Sequence, residues 1–89
     1  MRKDEASSQP GAVISLYDLP IGKTGIVESV QAEEMTRRRL MDLGLVPGTK
    51  VKALRKSPAG DPTAFDIRGA VIAFRREESS LIAVRLKER

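Results

Sequence analysis

Gly22-Lys23-Thr24 is the stretch whose residue types most suggest chemistry. It matches the end of a phosphate-binding loop, where glycine backbone N–H groups cradle phosphates and the lysine and hydroxyl complete the site. The full motif needs an earlier glycine at the position that Tyr17 occupies, and a strand leading into it. Both are missing, so the stretch reads as a plain turn. Cysteine and histidine are absent from the chain. Thiolate nucleophiles, disulfides, the commonest metal ligand and the commonest general base are therefore unavailable together. Only carboxylates and hydroxyls remain for an active site, and the chain reads as a non-enzyme with no catalytic residue, no metal site and no cofactor.

The second cluster with chemical potential is Arg37-Arg38-Arg39. Consecutive helical residues are about 100° apart, so the three guanidinium groups cannot share a face. Glu33 with Arg37 and Glu34 with Arg38 are acid-before-base pairs one helical turn apart, which makes a solvated face the plain reading. The functional reading is a partner contact, because arginine is enriched at interface hot spots.

These arginines lie near the end of a helix expected over Gln31 to Leu43, with Met35, Leu40 and Leu43 as its buried stripe. Gly44 suits the residue after a helix, where a left-handed backbone is easiest for glycine. Leu45 then folds back on Leu40. Pro47 stops the helix from resuming, and Pro47-Gly48 is a turn signal.

The rest of the chain is β-rich. Ser15 caps a helical turn within Val13 to Leu19 that buries Leu16 and Leu19. Pro20 to Gly25 is a turn. Strands are expected at Ile26–Val30, Thr49–Lys56, Thr63–Arg68, Ala70–Phe74 and Leu81–Leu86. Val51 and Ala53 face inward, opposite an exposed stripe of Lys50, Lys52 and Lys56, and the pattern slips at Leu54-Arg55 as at a bulge. Phe65 and Ile67 face inward, as do Ile82, Val84 and Leu86. Ser57 to Pro62, including Gly60, Asp61 and Pro62, is a loop, Gly69 breaks a strand, and Arg75 to Ser80 is a charged turn. Five short strands with one helix after the first suggest a small closed or nearly closed barrel, because a flat sheet would leave an apolar face and two edges bare.

The 89 residues make one domain at most, with residues 1–12 expected as a disordered tail and 13–89 as the folded part. No apolar run approaches the roughly 18–20 residues that cross a bilayer, and the start of the chain lacks the apolar core of a secretory signal. A cytoplasmic protein without direct membrane insertion is expected. The net charge of +4 permits an acidic partner, although sixteen basic and twelve acidic residues are interspersed as on an ordinary surface. Tyr17, Phe65 and Phe74 are the only aromatics, too few for the stacking platforms of single-strand binders or an aromatic polyproline groove.

In order and spacing, Leu16-x-x-Leu19, Gly22-x-x-Gly25, Arg39-Leu40-x-x-Leu43-Gly44-x-x-Pro47-Gly48, Gly60-Asp61-Pro62, Gly69 and Ile82-x-Val84 resemble the FeoA family. That family supplies the small cytosolic component of bacterial ferrous-iron transport. The resemblance spans about Val13 to Leu86. Ala73-Phe74-Arg75 and Glu78-Ser79 depart from the usual Ala-Leu-Arg and Glu-Ala of the family, without touching expected chemistry.

The resemblance implies an SH3-like five-stranded barrel with an inserted helix, related to the C-terminal domain of iron-dependent repressors. It implies an accessory or regulatory protein that binds the cytosolic GTP-binding region of the FeoB transporter. Arg37, Arg38, Met41, Leu45 and Val46 are the expected partner surface, with Arg38 and Met41 exposed. Leu40, Leu43, Gly44, Pro47, Gly48, Gly60, Asp61, Pro62 and Gly69 are structural. Two other functions stand beside this one: a basic barrel gripping nucleic acid non-specifically through the lysine stripe, and a module that self-associates through a barrel edge or the helix face.

Overall fold

The computed structural model describes residues 11–87. Among them, β1 (Val13–Ser15), β2 (Thr24–Val30), β3 (Lys50–Lys56), β4 (Thr63–Ile67), β5 (Ala70–Phe74) and β6 (Ile82–Leu86) form one sheet. Their spatial order is β1-β6-β2-β3-β4-β5, a six-stranded sheet in which every pairing is antiparallel. Helix α1 (Glu34–Asp42) is inserted between β2 and β3, and the short helix α2 (Arg76–Ser79) between β5 and β6.

The expected five strands become six because Val13–Ser15 pairs with Arg85, Val84 and Ala83 of β6. Three residues carry too little alternation to reveal a strand, and the partner that makes it one lies at the other end of the chain. The helical turn that was expected there follows immediately, as a 3₁₀ turn at Leu16–Asp18. Ser15 Oγ caps it, accepting the Asp18 N–H at 3.3 Å. Of the expected tail, residues 1–10 lie outside the described residues, while the Gly11 N–H donates to the Leu86 carbonyl and the Leu86 N–H to the Ala12 carbonyl, both at 2.8 Å.

Alternation builds the interior. Val51 and Ala53, Phe65 and Ile67, and Ile82, Val84 and Leu86 are all buried in one cluster with Leu16, Leu19 and Leu40. The Phe65 and Phe74 rings meet at 6.2 Å in a tilted arrangement, which adds specific packing to the burial of two large side chains. Register shifts between Val27 and Ser29 and between Ala53 and Arg55 are bulges, which bend and twist their strands. The sheet rolls until the 3₁₀ turn after β1 packs against α2 after β5.

The loops are tied down by side chains. Ser57 Oγ donates to the Asp61 carbonyl at 2.7 Å. Asp61 Oδ1 in turn accepts the Arg76 N–H at 2.8 Å, anchoring the loop to the start of α2. The β4–β5 hairpin turns through Arg68 and Gly69, both at positive φ (56° and 88°), as a two-residue primed turn requires. Asp66 Oδ1 accepts the Gly69 N–H across it at 2.9 Å.

Helix α1 starts three residues later than the sequence suggests, at Glu34 rather than Gln31. Its buried stripe also differs. Leu40 is fully buried, but Met35 is 80 % exposed and Leu43 is 38 % exposed. The reason is angular: at about 100° per residue, Met35 stands roughly 140° around the helix from Leu40. Burying Leu40 is worth about 1.5–3 kcal/mol, and this one side chain secures a helix whose remaining surface is mostly polar.

Candidate partner-binding surface

The end of α1 is built by two consecutive backbone motifs. The Leu45 N–H donates to the Leu40 carbonyl at 3.2 Å and the Gly44 N–H to the Met41 carbonyl at 2.9 Å. This pair of bonds, with Gly44 at φ +107°, is the Schellman cap. The Thr49 N–H then donates to the Val46 carbonyl at 3.0 Å around Pro47 and Gly48. Gly48 has φ +95°, the positive value a type II turn needs at its second corner. The Gly48 N–H reaches the Val27 carbonyl at 2.8 Å, stitching the turn to β2. The helix is thereby held at a fixed angle over the barrel.

The arginine run divides along this helix. Arg37 Nη1 donates to the Met41 sulfur at 3.9 Å. Arg38 Nη2 meets Glu34 Oε2 at 3.4 Å, with both side chains 75 % exposed. Arg39 Nη2 pairs with Glu78 Oε2 of α2 at 2.5 Å, fixing the helix to the body. That bond holds the Glu78 carboxyl below the usual carboxylate range. The expected Glu33–Arg37 pair is not formed. Glu33 instead caps its own helix through the Met35 N–H and accepts the Thr36 hydroxyl, and the Thr36 bond above all lowers its pKa.

Of the expected partner residues, Arg37 and Arg38 are exposed, whereas Met41 and Val46 are half-buried. Leu45 is a correction: its side chain is fully buried in the core. The cap that folds Leu45 back toward Leu40 turns it inward, so it offers nothing to a partner. Met35 is exposed instead, on the same face as Arg38. Glu34, Met35, Arg38, Arg39 and Asp42 line a shallow depression of about 470 Å³ on the outside of the helix. The five-residue offset between Met35 and Leu40 was the signal that could have found it.

The lysine stripe also needs correction. Lys56 pairs with the buried Thr63, because the bulge at Ala53/Arg55 adds one residue and reverses the facing. Its ammonium group lies 5.2 Å from the centre of the Tyr17 ring, which also receives the Arg76 guanidinium at 5.3 Å. Lys50 and Lys52 remain on the outer face with Arg68, lining a groove of about 570 Å³ beside the Pro47-Gly48 turn. Among the described residues no three carboxylates gather where they could hold a metal ion, and no helix is long and apolar enough to cross a membrane.

A rolled antiparallel sheet that carries a helix between its second and third strands defines a small SH3-like barrel with an inserted helix. The FeoA domain family matches residues 14–86, and the chain belongs to that family. A solution structure of the FeoA protein from Chlorobium tepidum is 45 % identical, covers 82 % of this chain and 70 % of its own, and superposes with a TM-score of 0.76. The zinc complex of FeoA from Stenotrophomonas maltophilia, described as a prokaryotic SH3 domain protein, is 33 % identical over 80 % of this chain and 88 % of its own, with a TM-score of 0.71.

A curated relative, the Fe(2+) transport protein A/Fe(2+) transporter FeoB fusion protein of Porphyromonas gingivalis, is 27 % identical over 71 residues, or 80 % of this chain. The chain spans 8 % of that fusion protein's length. A manganese-dependent transcriptional repressor, 15 % identical over 88 % of this chain and 44 % of its own, shares the fold with a TM-score of 0.74.

Proposed function

We propose that this protein is a non-catalytic accessory subunit of bacterial ferrous-iron uptake, acting on the cytoplasmic side by binding the cytosolic GTP-binding part of the transporter FeoB. The observation that carries the reading is the Porphyromonas gingivalis protein in which a related domain and FeoB are joined in one chain. Domains that are covalently joined in one organism and separate in another commonly work together, because fusion raises the effective concentration of one for the other. The description of the Stenotrophomonas maltophilia FeoA as a candidate ferrous-iron transport activating factor points the same way. Ferrous iron is the transporter's cargo in this reading and is not a ligand of this chain.

The contact surface is the outer face of α1 with the adjoining turn: Met35 and Arg38 at its centre, with Arg37, Met41 and Val46 along its flank. An exposed methionine beside arginines combines adaptable apolar contact with charge, a composition enriched in interface cores. Pull-down of FeoB from detergent-solubilised membranes of the host, with wild-type protein and the Met35→Ala/Arg38→Ala variant, tests it. Loss of about 2 kcal/mol, roughly thirtyfold in affinity, is expected, with an unchanged melting temperature because both side chains lie outside the core. Equal recovery of FeoB by both proteins excludes this surface, and recovery of nucleic acid in place of FeoB excludes the function.

A further inference from the structure

The outer face of β2, β3 and β4 carries a second surface that the helix does not use. Lys50 and Lys52 project from β3 on one side of the sheet, opposite the buried Val51 and Ala53. Thr24 and Asp66 flank Lys52 in the neighbouring strands. Arg68 stands just beyond β4 on the Lys50 side, since Ile67 pairs with Val51, and the Pro47-Gly48 turn borders the same end of the groove. None of the three cations is in an ion pair with a carboxylate among the described residues. The one carboxylate in the groove, Asp66, already accepts the Gly69 N–H at 2.9 Å.

The spacing of these cations is regular. Residues two apart on a strand lie about 6.8 Å from each other on the same face. An extended peptide presents its own alternate side chains at the same interval. A nucleic-acid strand is disfavoured by Asp66 beside Lys52, which opposes a dense run of negative charge, and by a lining without any aromatic side chain on which bases could stack.

We propose that this groove binds an acidic peptide segment in extended conformation, laid along β3 with alternate carboxylates on Lys50 and Lys52. Arg68 holds a further carboxylate as a two-pronged donor. Since β3 is paired on both sides, by β2 and β4, its backbone is fully engaged, and recognition runs through side chains alone. The groove contains neither Met35 nor Arg38, so the Met35→Ala/Arg38→Ala variant should bind the peptide normally.

The probe is a short fluorescein-labelled peptide alternating Glu and Val, titrated by anisotropy at moderate salt. Lys50→Glu/Lys52→Glu should weaken binding by about tenfold or more and create affinity for a peptide alternating Lys and Val. Arg68→Ala should weaken it by a smaller factor. Lys56→Glu changes the net charge equally per residue but lies on the other side of the sheet, so it should leave binding intact. All four positions are exposed, and thermal melts confirm that each variant folds. Should Lys56→Glu weaken binding as much per charge as the groove variants, attraction is merely global and the proposal fails. It fails equally if the acidic peptide does not bind, or if a single-stranded oligothymidylate binds more tightly at the same salt.

Discussion

Arg39 and Glu78, thirty-nine residues apart in the chain, pair at 2.5 Å and join the inserted helix to α2. Glu78 does this while its other oxygen accepts the Arg75 N–H at 3.2 Å, so one carboxylate caps α2 and holds α1. Arg39 is therefore the member of the arginine run with a structural role, and it leaves Arg37 and Arg38 to face outward.

The pair carries a pH dependence whose sign follows from its cause. The Arg39 hydrogen bond lowers the Glu78 pKa in the fold. Its stabilisation is thus fully present above the ordinary carboxylate value and is lost as pH falls through the lowered folded value. The Arg39 side chain is 54 % exposed and that of Glu78 24 %, so solvent screening keeps the contribution to about 0.2–1 kcal/mol. Arg39→Ala should lower the melting temperature slightly at neutral pH and converge with wild type in acid. Parallel acid limbs for the two proteins would show that the pair contributes no linkage.

Gly44 is the position at which a side chain is least tolerable. Its φ of +107° is strained for other residues, and a Cβ there would lie 3.1 Å from Ile67 Cγ2. Gly44→Val should cost about 1–2 kcal/mol from the left-handed backbone alone, with further loss from crowding. In a domain of this size each kcal/mol lowers the melting temperature by about 4–8 °C. Gly44→Ala should lie between wild type and valine. A melting temperature unmoved by valine would refute the cap.

Thr49 offers the opposite outcome. It is 6 % exposed, and its hydroxyl is buried without a hydrogen-bond partner among the described residues. An unsatisfied buried hydroxyl carries a desolvation penalty of about 1–3 kcal/mol, which an isosteric methyl does not. Thr49→Val should leave the melting temperature unchanged or raise it, and a fall would mean that the hydroxyl is satisfied in solution.

Much of the fold was legible because its signals are local. The alternation of β4 through Phe65 and Ile67, the slip at Leu54-Arg55 and the helix stop at Gly44 each arise from residues within a few positions of one another. The site was less legible. Leu45 belongs to the cap and also to the core, and a cap reading alone does not say which way its side chain points. Simple alternation or a stripe misplaces Met35 and Lys56, and each faces the other way once helix angle or bulge register is counted.

By itself, then, the sequence determined the local grammar: where the helix stops, which strand faces are apolar, and that neither histidine nor cysteine is available for chemistry. Hydrogen-bonding geometry and side-chain periodicity act over a few residues, so they can be read without a partner. The tertiary structure alone decided the sixth strand, the Arg39–Glu78 tie, the diversion of Lys56 onto Tyr17 and the grouping of Lys50 and Lys52 with Arg68. Each of those depends on which distant segment arrives alongside, and that choice is made by the collective burial of one core.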